Sequence, residues 1–104
     1  MGNKNEESNE NKIPVKFVCN DDKELENKIF YFEPDSTISQ MIKEFNKITK
    51  FERKHRSLIY GAYYMYVYKG IPLNTGSQEL LRDVFREDDN IKIIINVDYG
   101  CYIF

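Results

Sequence analysis

The run Ile91-Lys92-Ile93-Ile94-Ile95-Asn96-Val97 is the most hydrophobic segment of the chain, and it constrains the fold more than any other feature. A strand this apolar belongs in the centre of a sheet. It is also the last strand in sequence. A central last strand must lie beside the first, so the two ends of the domain are joined through the sheet.

The first strand is Ile13-Pro14-Val15-Lys16-Phe17-Val18-Cys19. Ile13, Val15, Phe17 and Cys19 share one face at period two, the pattern of a half-buried strand. Asn20-Asp21-Asp22 is turn chemistry. Lys28-Ile29-Phe30-Tyr31-Phe32 is β-branched and aromatic and reads as a second strand, the hairpin partner of the first. Leu25 is the only apolar residue between them, and this reading gives it no role.

Glu33-Pro34-Asp35-Ser36-Thr37 stops the strand and opens a helix. Thr37 caps it, and Gln40 completes a capping box. Ile38, Met41, Ile42, Phe45 and Ile48 then recur at helical spacing and must face the sheet. Lys43, Glu44, Asn46 and Lys47 occupy the other face. The helix ends near Thr49 or Lys50. A long connection follows over residues 51–62, with Lys50, Arg53, Lys54, His55 and Arg56 clustered along it. Tyr63-Tyr64-Met65-Tyr66-Val67-Tyr68 is a third strand, and Lys69-Gly70-Ile71-Pro72 is a turn. Residues 77–87 read as a short helix capped by Ser77, with Leu80, Leu81, Val84 and Phe85 on its apolar side. The sum is an α+β roll: a mixed sheet with one main helix and a short second helix.

With 104 residues, the length is that of one domain, long enough to bury about two-thirds of its unfolded surface. Residues 1–12 are almost free of apolar side chains and read as a disordered arm, leaving 13–104 as the folded domain with its tail. Seventeen acidic against 15 basic residues give a net charge of −2, which disfavours a nucleic-acid binder. Cys19 and Cys101 are too few for a disulfide framework, so free thiols in a reducing, cytoplasmic setting are expected. No apolar run approaches the ~20 residues needed to cross a bilayer. Met1-Gly2 is followed by Glu6 where myristoylation wants Ser or Thr.

The order of elements and their signposts resemble the ubiquitin β-grasp. Glu33-Pro34-Asp35-Ser36-Thr37-Ile38 is similar to ubiquitin's entry into its helix. Tyr66-Val67-Tyr68-Lys69-Gly70-Ile71-Pro72, a helix ending Val84-Phe85, Asp89-Asn90, and Lys92-Ile93-Ile94-Ile95-Asn96-Val97 resemble the autophagy-related protein twelve family of ubiquitin-like modifiers. The resemblance spans residues 13–104. It departs from the family in a longer connection over 51–62 and in the tail. Laid over the family pattern, the final strand continues to the chain end, Ile103 falls on a Trp, and Phe104 falls on the conjugating Gly.

The resemblance implies a scaffold without catalytic side chains. It would pair with autophagy protein five and bind autophagy protein sixteen. With the conjugating enzyme it would support lipidation of the autophagy-eight modifier, peripherally recruited to an autophagic or organelle membrane. Three readings of the tail stay open. Tyr99, Gly100, Tyr102, Ile103 and Phe104 pack on a partner without a covalent bond, since the bulky Phe104 should not thread an activating enzyme's channel. Alternatively, cleavage after Gly100 exposes a conjugating carboxylate. In the third, Cys101-Tyr102-Ile103-Phe104 is a prenylation box, as in membrane-anchored ubiquitin-fold proteins. A generic ubiquitin-like docking module is a further class.

Alternation also assigns an open sheet face. Phe30, Phe32, Val15, Phe17, Met65, Val67, Ile93 and Ile95 are expected in the core. Lys16, Val18, Ile29, Tyr31, Tyr64, Tyr66, Tyr68, Lys92 and Ile94 are expected outside, an amphipathic surface of the kind that marks partner sites. The family's docking surfaces add Ile71 and an aromatic matching Phe30, so Phe30 has both a core and a docking reading. His55 is the only histidine, which gives a metal centre no support. No nucleophile–base constellation can be assembled, and no cofactor is expected.

Overall fold

The computed structural model describes residues 11–56 and 62–98. β1 (Ile13–Val18) is followed by a 3-10 turn (Lys23–Asn27), β2 (Phe30–Phe32), α1 (Ile38–Thr49), α2 (Phe51–Lys54), β3 (Tyr63–Tyr68), β4 (Ile71–Pro72), α3 (Leu81–Val84) and β5 (Ile91–Asp98). The strands form one sheet in the order β2-β1-β5-β3-β4. β5 is therefore central, parallel to β1 and antiparallel to β3. The apolar last strand is central and beside the first, as its composition predicts, and the strand order is the β-grasp order that the resemblance implies.

α1 crosses one face of the sheet. Its capping box forms as expected: the Thr37 hydroxyl accepts from the Gln40 N–H at 3.1 Å, and the Gln40 side chain accepts from the Thr37 N–H at 2.9 Å. Phe45 at the helix centre stacks on Phe17 of β1 with ring centroids 3.9 Å apart, and Phe30 meets both rings edge-on. Such pairs add stabilisation beyond the area they bury. Leu25 is buried under the 3-10 turn and closes the core beside β1. Phe51 begins α2 fully buried against Phe45.

The structure corrects several expectations. Ile48 is 58% exposed, because the chain leaves α1 at Lys50 in a left-handed turn and Phe51 takes the buried place instead. The connection after α1 is not wholly irregular, since α2 occupies its first turn. The helix expected over 77–87 shrinks to α3, a single turn that Leu80 precedes. Residues 77–80 instead run without helical structure against the start of α1, with Leu80 bridging Thr37. Ser39 N–H donates to Ser77 O, Ile38 N–H to Glu79 O, and Leu81 N–H to Ser36 O. The first two bonds use donors at the helix start that α1 itself leaves unpaired, and the third ties the first residue of α3 to the segment before α1. Ile71 and Pro72 form β4 rather than lying in the turn. Asn11 and Lys12 of the expected arm are described, with Lys12 3.8 Å from Glu33.

The largest correction is the phase of β3. Met65 and Val67 were expected inside, with Tyr64, Tyr66 and Tyr68 outside. Register with β5 sets the opposite. Tyr66 pairs with Ile95 and Tyr68 with Ile93, both buried, while Val67 pairs with Ile94 on the open face. Tyr66 is 0% exposed and Met65 48%. Directly paired residues share a face, so one register decides all six positions of the strand.

Candidate protein-interaction face

Two polar clusters hold the helical layer in place. In the first, the Glu52 carboxylate accepts from the Tyr66 hydroxyl at 2.6 Å and from the Asn46 amide at 3.3 Å. The Asn46 carbonyl in turn accepts from the Glu52 N–H at 2.9 Å, and the Tyr64 hydroxyl donates to Glu52 O at 2.6 Å. Burial, with the nearby Glu52 carboxylate, pushes the Tyr66 hydroxyl far above its ordinary value. In the second, Asp22 lies 3.0 Å from His55 Nε2 and 3.4 Å from Lys54 Nζ. Burial raises the Asp22 carboxyl. The His55 hydrogen bond and the Lys54 ammonium outweigh it, and the net shift is downward. Among the described residues, no buried side-chain nitrogen or oxygen lacks a hydrogen-bond partner. These clusters are therefore satisfied structural joints.

Among the described residues, no helix covers the other side of the sheet. Val18 on β1 pairs with Ile94 on β5, and Ile94 pairs with Val67 on β3. Because paired residues share a face, the three form one apolar row across the central strands, and Pro72 extends it from Val67 onto β4. Tyr31 stands beside Pro14 on the outer strand pair of the same face. Met65 and Asn96 form the next row. Ile94 is 45% exposed, more than a core role allows, while Ile71, paired with Tyr68 and so on the opposite face, is 66% exposed at the sheet edge. A hollow of about 560 Å³ opens at the β3 end, lined by Tyr63, Met65, Pro72, Leu73, Asn96 and Asp98 among others.

The row has basic margins. Lys16 and Lys92 are paired across β1 and β5. Like charges so placed repel. At the β3–β4 turn, Lys69 lies 3.7 Å from Asp88, whose carboxylate accepts from the Tyr68 hydroxyl at 2.6 Å. Burial and that hydrogen bond push Tyr68 up to about 12.

The expected surface residues divide accordingly. Tyr31, Ile71 and Ile94 are exposed. Tyr64, Tyr66 and Tyr68 are not on the open face, because their hydroxyls reach acceptors on the helical side. Phe30 takes its core reading, buried between Phe17 and Phe45. Sequence alternation missed Tyr63, Met65 and Val67, which replace the three tyrosines outside. A usable signal was present: Glu52, Asn46 and Asp88 are polar groups able to receive inward-pointing tyrosine hydroxyls. The tail residues Tyr99, Gly100, Cys101, Tyr102, Ile103 and Phe104 lie outside the described residues.

Among the described residues, no group of three or more His, Cys, Asp or Glu could hold a metal ion. No helix among them is long and apolar enough to cross a membrane.

No protein-family model matches the sequence, and no curated protein matches it. The structure is similar to the crystal structure of Trypanosoma brucei ATG8, with a TM-score of 0.63 and 14% sequence identity. The match covers 95% of this chain and 84% of that one. The fold is accordingly a ubiquitin-like β-grasp.

Proposed function

We propose that this protein is a ubiquitin-like scaffold of the autophagy machinery that pairs with autophagy protein five through its open sheet face. The observation that carries the reading is the row of Val18, Ile94 and Val67 across the three central strands, which no helix covers among the described residues. An apolar row of this kind, rimmed by polar groups, is what a protein partner covers. The likeness to an autophagy ubiquitin-like fold and the resemblance to the autophagy-related protein twelve family point to the same class. In this reading the chain contributes binding surface and no catalytic side chain. It works in the cytoplasm, with autophagy protein sixteen and the conjugating enzyme as further members of the complex. Membrane recruitment and lipidation of the autophagy-eight modifier then follow from the assembly.

Co-expression with autophagy protein five of the same organism tests this. The two should co-elute under native conditions and separate in denaturant, and Ile94→Asp should abolish co-elution. A band that survives boiling in detergent and thiol would show a covalent bond instead. Failure of the folded proteins to co-elute would refute the pairing.

A further inference from the structure

Residues 43–56 carry six basic side chains against two acidic ones, a net charge of +4 in a chain whose total is −2. The remainder is therefore at −6, a marked separation of charge. The local acids do little to offset it. The Glu52 carboxylate is held inward by Tyr66 and Asn46. Only Glu44 faces solvent among the cations. Lys54 is engaged by Asp22. Lys43, Lys47, Lys50, Arg53 and Arg56 have no ion-pair partner among the described residues.

We infer that the end of α1 together with α2 and the residues just after it, a segment that exposes Lys47, Ile48, Lys50, Arg53 and Arg56, docks on an anionic lipid bilayer. Charge complementarity selects an anionic partner. The helix dipole accounts for a cation in the last turn of α1, such as Lys47. Arg53 closes the four-residue α2, which is too short for a sizeable dipole, and Arg56 lies beyond both helices. Lys50 adds a second oddity. It holds the left-handed position that ends α1, with φ 59°, where glycine or asparagine usually sits. A lysine there places its ammonium on the outer surface at the junction of the two helices.

The platform is firmly held. Phe51 is anchored in the core, the Asn46 carbonyl accepts from the Glu52 N–H, and the Tyr64 hydroxyl donates to the Glu52 and His55 carbonyls. The cations therefore stand on a backbone tied to the sheet. Ile48 selects a bilayer over a nucleic acid. An aliphatic side chain among cations can enter the headgroup boundary, whereas single-stranded nucleic acid is held by stacking on aromatic rings. The aromatic residues of this segment, Phe45 and Phe51, are both buried.

Co-sedimentation of the full chain with phosphatidylcholine vesicles, with and without phosphatidylserine, tests the inference. Binding is expected only to the anionic vesicles and should be released by raised salt, since surface charges are screened. The Lys47→Glu/Lys50→Glu/Arg53→Glu variant should bind at least about tenfold more weakly, because each cation near an anionic surface contributes a several-fold factor. Lys47→Arg/Lys50→Arg should bind as the parent does, and Ile48→Ser should weaken binding without changing its salt dependence. Equal binding to both vesicle types, or an unaffected triple-reversal variant of intact circular dichroism, would overturn it. So would displacement of the vesicles by an equimolar oligonucleotide, which assigns the patch to nucleic acid, or by millimolar inorganic phosphate, which assigns it to a soluble anion. Should the triple variant not fold, the salt release and Ile48→Ser decide the question on otherwise native protein. The inference is independent of the open sheet face and of autophagy protein five.

Discussion

The Tyr66 hydroxyl donates a 2.6 Å hydrogen bond to the Glu52 carboxylate, linking the third strand to the short helix behind α1. This bond gives a tyrosine at the core face of β3 a polar terminus, which is the condition for burying it. It also closes the phase of the strand, since one inward residue determines its alternating neighbours.

Tyr66→Phe removes the donor while keeping the ring. It should destabilise the fold by about 1–3 kcal/mol, because the Glu52 carboxylate and Asn46 amide lose a part-buried partner. Met65→Gln, on the open face, should stay within about 0.5 kcal/mol of the parent. Urea denaturation of the two variants checks this, and the reverse ranking would place Met65 in the core.

The Asp22 joint predicts an acid limb of stability. Its folded-state carboxyl is depressed on balance, with the His55 hydrogen bond and Lys54 charge outweighing burial. A depressed carboxylate contributes stability that is fully present above its unfolded value, about pH 4, and lost as pH falls through the folded value. Asp22→Asn should therefore lower stability at neutral pH and flatten the decline below about pH 4. Denaturation midpoints across an acid pH series measure the difference, and parallel curves for the two proteins would refute it.

At the opposite end of the pH scale, Tyr68 is raised to about 12 by burial and its hydrogen bond to Asp88. A raised phenol contributes stability below its unfolded value, about 10, and loses it as pH rises through the folded value. Titration of phenolate absorbance should show a late component near 12 that Tyr68→Phe removes. Persistence of that component in the variant would mean that Tyr68 titrates elsewhere.

Lys50 couples stability to the proposed lipid surface. Lys50→Gly relieves a left-handed backbone position and should raise stability by about 1 kcal/mol. The same change should weaken anionic-vesicle binding. A thermal melt and a sedimentation assay on one preparation read both effects, and a variant that is less stable than the parent would contradict the strain argument.

Much of the fold was legible because its signals were local and one-sided. The Thr37–Gln40 capping box needs only its own spacing. The apolar run of β5 implied a central strand, and with it the neighbour relation to β1. β1 and β2 have one clearly apolar face each, so their inward residues were readable. β3 does not. Tyr63, Met65 and Val67 on one face and Tyr64, Tyr66 and Tyr68 on the other both carry large apolar surface, so hydropathy alternation has no preferred phase. The same limit misplaced the expected docking residues: the tyrosines turned inward, and Met65 and Val67 turned outward. Residues 77–80 read as the start of a helix from the apolar spacing of the segment, yet Ser77 and Glu79 accept long-range backbone bonds from the start of α1.

By itself the sequence determined the layers, the position of the last strand and the main helix with its cap, because each follows from near-neighbour periodicity and turn chemistry. Only the tertiary structure decided which face of β3 is buried, and therefore which residues form the open row. That choice depends on the register of Tyr66 with Ile95 and on the acceptor that Glu52 places behind the sheet. Both are contacts between segments distant in sequence, and a one-residue shift in that pairing would reverse the strand's faces.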